Sequence, residues 1–77
     1  MMQISSAQCR AARALIEMDQ AALAAASNVS RNTVVAFEKA QRVPNPNNLN
    51  AIRAALEAAG VEFIPENGGG AGVRLRK

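Results

Sequence analysis

The chain has 77 residues, a formal charge of +3, one cysteine and no histidine. That length allows one small domain with a modest core, of the kind that often leans on a partner, a metal or disulfides. A single thiol excludes an internal disulfide and, with no histidine, leaves no metal site, so oligomerisation is the favoured source of extra buried surface.

The charge is unevenly placed. Arg74, Arg76 and Lys77 carry +3, while residues 1–72 hold six basic and six acidic side chains. Overall charge is therefore a weak argument for nucleic acid, and the tail reads equally well as a solvated terminus. Locally, Arg31, Lys39 and Arg42 against Glu38 leave one segment at +2. No run approaches the roughly 18 apolar residues of a membrane span. The start, Met1-Met2-Gln3-Ile4-Ser5-Ser6, has no basic stretch followed by an apolar block. A reduced, cytoplasmic location is expected, with Cys9 as a small buried hydrophobe.

In chain order, Ser5-Ser6-Ala7-Gln8 has the form of a capping box and opens a helix to about Glu17. Cys9, Ala12 and Ile16 lie along one stripe of it, with Leu15 beside them. Asp19 caps a second, short helix from Gln20 to about Ala26, anchored by Leu23. Ser27-Asn28 breaks the pattern, because asparagine tolerates the left-handed backbone of a tight turn. Ser30 then caps a third helix, with Val29, Val34 and Phe37 on its apolar side. Arg31, Asn32 and Thr33 fill the first turn and cannot all share that side. They place a guanidinium, an amide and a hydroxyl where a duplex-reading helix presents its base contacts. Two short helices joined by three or four residues make a helix-turn-helix.

Asn45-Pro46 supplies a cap and a proline at the first position of a fourth helix, which carries Leu49, Ile52 and Leu56 and stops at Gly60. The period then changes. Val61-Glu62-Phe63-Ile64 reads as a strand closed by Pro65, residues 66–72 as a flexible loop, and Val73-Arg74-Leu75-Arg76 as a second, half-buried strand. Two such short strands make a poor isolated hairpin. Pairing them across a two-fold with a second chain would remove the exposed edge and enlarge the core, which makes Val61, Phe63, Val73 and Leu75 candidate dimer residues. A frayed basic tail is the alternative.

These residues resemble the Cro/phage-repressor, or xenobiotic-response-element (XRE), helix-turn-helix family of bacterial regulators over roughly residues 10–60. The resemblance rests on Arg13, Gln20, Leu23-Ala24, Val29-Ser30, Val34, Phe37-Glu38, Arg42, Pro44 and Leu49. It implies a mainly α, lambda-repressor-like domain of four helices over residues 1–60; the short β segment over 61–77, read from its own periodicity, is expected to follow as dimerisation element. It also implies base reading by Arg31 and Asn32, a third reading position at Ala36, a phosphate clamp at Gln20 and a structural Arg13–Glu38 pair. Asn28 stands where glycine is usual, Ala40 replaces the glycine after the third helix, and Met18-Asp19 sets a carboxylate near the expected phosphate.

Arginine matches guanine O6/N7 and asparagine adenine N6/N7, each contributing about 1–3 kcal/mol of discrimination. Thr33 is a candidate phosphate donor that can equally bond its own helix, and Lys39 and Arg42 are candidate phosphate contacts. Asn47 and Asn48 lie where side-chain amides and free backbone N–H groups would meet a phosphate. Catalysis has no nucleophile–base pair and no phosphate loop to work with, and no cofactor is implied. The function expected is a homodimeric, sequence-specific DNA-binding regulator. An antitoxin with a protein partner and a protein-binding module that has lost DNA are the alternatives.

Overall fold

The computed structural model describes residues 3–66 and 68–76. Met1, Met2, Asn67 of the glycine loop and Lys77 of the basic tail lie outside the described residues. Four helices, α1 (Ser6–Ile16), α2 (Gln20–Ser27), α3 (Arg31–Glu38) and α4 (Pro46–Ala58), precede two strands, β1 (Val61–Ile64) and β2 (Gly72–Leu75). This is the lambda-repressor-like arrangement with a C-terminal antiparallel hairpin.

Each helix begins on a side chain that accepts an otherwise unsatisfied backbone N–H. Ser5 Oγ accepts from Gln8 N while Gln8 Oε1 accepts from Ser5 N, closing the capping box. Asp19 accepts from Ala22 N at 2.7 Å, Ser30 from Thr33 N at 3.1 Å and Asn45 from Asn48 N at 2.8 Å. The first three helices all stop on a left-handed residue, and none of the three is glycine: Glu17 (φ 55), Asn28 (φ 58) and Ala40 (φ 59). In each, the N–H groups of the stop and of the following residue fold back on the last turn, as Gln41 N to Ala36 O and Ala40 N to Phe37 O do after α3. The alanine in place of glycine therefore leaves the turn intact but holds a side chain in a conformation disfavoured by roughly 1–2 kcal/mol.

The core gathers Ile4 and one stripe from each helix and from β1: Cys9, Ala12, Leu23, Ala24, Val34, Phe37, Leu49, Ile52, Leu56, Val61 and Phe63, with Val73 of β2 packed against it. Ile16 and Val29 pack against it, whereas Leu15 stays exposed. Ser27 belongs to α2 rather than to the turn, its hydroxyl donating to Leu23 O at 2.7 Å.

The C-terminal segment differs from the sequence reading in three ways. β2 begins at Gly72, one residue earlier than expected, and pairs in register Val61↔Leu75, Glu62↔Arg74, Phe63↔Val73 and Ile64↔Gly72. The strands find their partners within one chain. Val61 and Phe63 are buried in that chain's own core, so they cannot serve as surface contacts for a second copy. Of the four candidate dimer residues only Val73, half-buried, and Leu75, exposed, keep accessible side chains.

Burial of Val61 and Phe63 docks the hairpin on the core, and Gln8 ties it in place. Its buried amide donates to Ile64 O at 3.4 Å and to Gly72 O at 3.0 Å, while its oxygen completes the α1 capping box. One side chain so ties the helix start to both strands at the loop end of the hairpin. At the other end, Arg76 N donates to Gly60 O and Arg76 Nη2 to Glu57 O, covering a carbonyl at the end of α4. No described helix is long and apolar enough to cross a membrane.

Candidate nucleic-acid interface

α3 is divided lengthwise by its burial. Val34, Phe37 and Glu38 face inward, while Arg31, Asn32, Lys39 and, in the following loop, Arg42 are exposed. Thr33, Val35 and Ala36 lie half-buried at the margin. Because Ser30 caps the helix, Arg31 and Asn32 occupy its first two positions and carry their polar groups at its positive end. Thr33 Oγ1 lies 2.8 Å from Ser30 Oγ, so this hydroxyl is already engaged within the cap.

The inward face of α3 ends on a charged group. Glu38 is 3% exposed and accepts four hydrogen bonds from two other helices. Arg13 donates from Nε to Oε2 and from Nη2 to Oε1, both at 2.6 Å. Cys9 Sγ donates to Oε2 at 3.1 Å and Gln20 Nε2 to Oε1 at 3.0 Å. Four donors saturate a carboxylate, which makes burial of its charge tolerable. Burial alone would raise the Glu38 carboxyl, but the bonds from Arg13, Cys9 and Gln20 outweigh it and hold the group below the usual carboxylate range. The same burial, with the bond to Glu38, pushes the Cys9 thiol far above its ordinary value. Cys9 is thus a neutral donor to the carboxylate as well as a core residue.

Two further contacts fix the helix ends. Arg13 Nη1 donates to Met18 O at 2.9 Å, holding the turn into α2. Arg10 donates to the Glu38 carbonyl, so α1 caps the C-terminal end of α3 with a cation. Arg13, Asp19, Gln20, Ala21 and Arg31 together line a polar cleft of about 420 Å³ between α2 and the start of α3.

The other site residues of the sequence reading fall around this face. Gln20 is half-buried with one amide hydrogen on Glu38, which leaves its second for a ligand. Lys39 and Arg42 are exposed. Asn47 is exposed and Asn48 half-buried, but the Asn48 backbone N–H is not free for an anion, because Asn45 Oδ1 already takes it. Among the described residues no group of three histidine, cysteine, aspartate or glutamate side chains is placed to hold a metal.

Sequence reasoning missed Gln8 as the hairpin tie, Cys9 as a carboxylate donor and Arg10 as a helix cap. Arg10 lies one turn before Arg13 on α1, a spacing that places both on one face. Gln8 and Cys9 gave no such signal, since their partners are 29 to 64 residues away.

A protein-family model described as helix-turn-helix matches residues 10–62 of the chain, from the second turn of α1 into β1. No curated protein matches it.

Proposed function

We propose a function from one premise, that the chain belongs to the XRE/Cro-type helix-turn-helix family of DNA-binding regulators: it is a transcriptional regulator that reads a (pseudo)palindromic operator as a homodimer. Residues 1–60 form the reading unit and residues 61–77 the dimerisation element. The observation that carries this reading is the exposure of Arg31 and Asn32 on a helix whose reverse side is locked to α1 and α2 through Glu38. A reading helix needs that combination, since base edges are distinguished only by groups held in fixed geometry.

In this mechanism the N-terminal end of α3 enters the major groove. Arg31 bonds guanine O6/N7, Asn32 bonds adenine N6/N7, and the Ala36 methyl meets a thymine methyl. Gln20, whose amide is oriented by Glu38, gives its second N–H to a phosphate at the mouth of the cleft. Thr33, Lys39, Arg42 and the side chains of Asn47 and Asn48 grip the backbone on either side. The two copies span half-sites about 34 Å apart.

Selection of bound sequences from a random duplex pool tests this directly. The expected result is an enriched pair of inverted half-sites. Arg31→Ala should retain the fold and lose preference at one base pair in each half-site, weakening binding by about 1–3 kcal/mol per contact. A pool that fails to enrich, or an Arg31→Ala protein that binds the selected operator as well as wild type, overturns the assignment.

One observation favours a second reading. Asp19 sets a carboxylate beside Gln20 in the cleft where a phosphate would bind, as a module that had traded DNA for a protein partner would. A salt titration with random duplex separates the two. The regulator loses affinity steeply as salt rises, and the protein-binding module has almost none to lose.

A further inference from the structure

Among the caps of the four described helices, Asp19 alone carries more chemistry than capping requires. A cap needs only a short side chain with an oxygen acceptor. Ser5, Ser30 and Asn45 supply that oxygen to α1, α3 and α4 without charge, whereas Asp19 supplies it to α2 as a carboxylate. The positive end of α2 favours the charge. The phosphate assigned to Gln20 would oppose it, so a carboxylate at this place on a duplex-reading surface needs a cation.

Two guanidinium groups line the cleft between α2 and the start of α3, and they differ in what they have left to give. Arg13 is committed at all three nitrogens, with Nε and Nη2 on Glu38 and Nη1 on the Met18 carbonyl. Arg31 is exposed, and among the described residues its guanidinium has no hydrogen-bond or ion-pair partner. Asp19 is exposed as well, with Oδ1 on Ala22 N and Oδ2 unbonded among the described residues. Gln20 is half-buried, neutral and held on Glu38. Of the residues lining the cleft, the one uncommitted cation and the one carboxylate thus stand at the openings of successive helices, around a shared space of about 420 Å³.

A guanidinium carries five N–H donors in one rigid plane. Two of them read O6 and N7 of a guanine, and the others leave a second edge that matches a carboxylate. An arginine gripped by that second edge presents the first in a fixed direction. An arginine left free visits many rotamers and reaches neighbouring bases and phosphates too, which blurs its preference.

We infer that Asp19 is a positioning residue for base reading: its free oxygen holds the Arg31 guanidinium by the edge turned away from the base, and so sharpens selection of guanine. The inference rests on the proposed reading of DNA by Arg31 and names what orients that side chain. The same bond neutralises the carboxylate where the phosphate approaches, which makes the charge compatible with a duplex reader.

Asp19→Asn tests this, because asparagine caps a helix as well as aspartate does and removes only the charge. The quantity to measure is a ratio of affinities, for the selected operator against the same operator with the guanine read by Arg31 replaced. Taken on one protein preparation, that ratio is insensitive to any loss of folded material. Asp19→Asn should lower it about two- to fivefold per half-site, the strength of an exposed ion pair. The corresponding ratio at the base pair read by Asn32 should stay constant, and in an Arg31→Ala background the Asp19 substitution should change neither. A guanine preference that is unchanged or higher in Asp19→Asn overturns the inference, even if every duplex is bound more tightly, because the carboxylate then only repels phosphate. An equal loss at the base pair of Asn32, or a loss that persists without Arg31, overturns it too. Those outcomes leave base reading by Arg31 standing; that reading fails instead if Arg31→Ala alone keeps the guanine preference intact.

Discussion

Arg13 and Glu38 join α1 to α3 through two bonds of 2.6 Å, and Arg74 and Glu62 join β2 to β1 through bonds of 3.0 and 3.2 Å. The chemistry is the same, a guanidinium forked onto a carboxylate. The surroundings are opposite: Glu38 is 3% exposed and takes two further donors, whereas Glu62 is 44% exposed beside an arginine that is 63% exposed. Near Glu38 water is excluded, so each donor is indispensable and the geometry is single-valued. Near Glu62 water substitutes for either partner, and the pair does little more than bias the register of two strands. The contrast locates rigidity. The helix that carries Arg31 and Asn32 is held by the buried pair, whereas the exposed pair only biases the pairing of two strands that the core and Gln8 hold in place.

Removing one half of each pair tests this contrast most strongly. Arg13→Ala leaves Glu38 buried with its main partner gone and should destabilise the fold by about 3–5 kcal/mol in denaturant unfolding. That is a large share of the roughly 5–15 kcal/mol that holds an ordinary domain together. A loss no greater than that of an exposed-pair variant would place Glu38 in contact with water.

The pH dependence of stability should follow the buried cluster. Glu38 is held below its ordinary value, so the stability it gives is present above about pH 4.3 and lost as the pH falls through its folded value. Cys9 is shifted upward, so its contribution is present below about pH 8.5 and lost as the pH rises toward its folded value. Melting temperature against pH should therefore show a plateau with a fall on either side. Glu38→Gln should flatten the acid limb and Cys9→Ala the alkaline one, each from a lower starting melting temperature.

A smaller gain is expected at the end of α3. Ala40 holds φ 59, so Ala40→Gly relieves left-handed strain at the expense of added freedom in the unfolded chain, for a net stabilisation of about 0.5–1 kcal/mol. Equilibrium unfolding at fixed pH measures it, and a loss would mean the turn is already relaxed around the methyl group. The smallest effect belongs to the exposed pair. Glu62→Gln should leave the melting temperature nearly unchanged at physiological salt, although Arg74 holds the Glu62 carboxyl below its usual range through their hydrogen bonds.

Much of the helical frame was legible because its causes are local. Ser5 with Gln8, Asp19, Ser30 and Asn45-Pro46 each act within three residues along the chain, and the core positions recur at helical spacing. The first turn of α3 was legible for the same reason: a cap at Ser30 places Arg31 and Asn32 at the helix start wherever the helix packs. The hairpin was legible as two strands but not as a partnership. Strand periodicity names a face and says nothing about which chain supplies the neighbour. That decision came from Gln8 at one end of the ladder and Arg76 at the other.

The sequence by itself determined where the helices begin, which residues are apolar enough to meet, and that a guanidinium and an amide open the third helix. These follow from hydrogen bonds and side-chain spacing within a single turn. Tertiary structure alone decided that a carboxylate on α3 is buried under donors from α1 and α2, that Val61 and Phe63 belong inside, and that Val73 is half-buried and Leu75 exposed. Those outcomes depend on contacts between residues far apart in the chain, whose free energy exists only once the core has closed and shut water out.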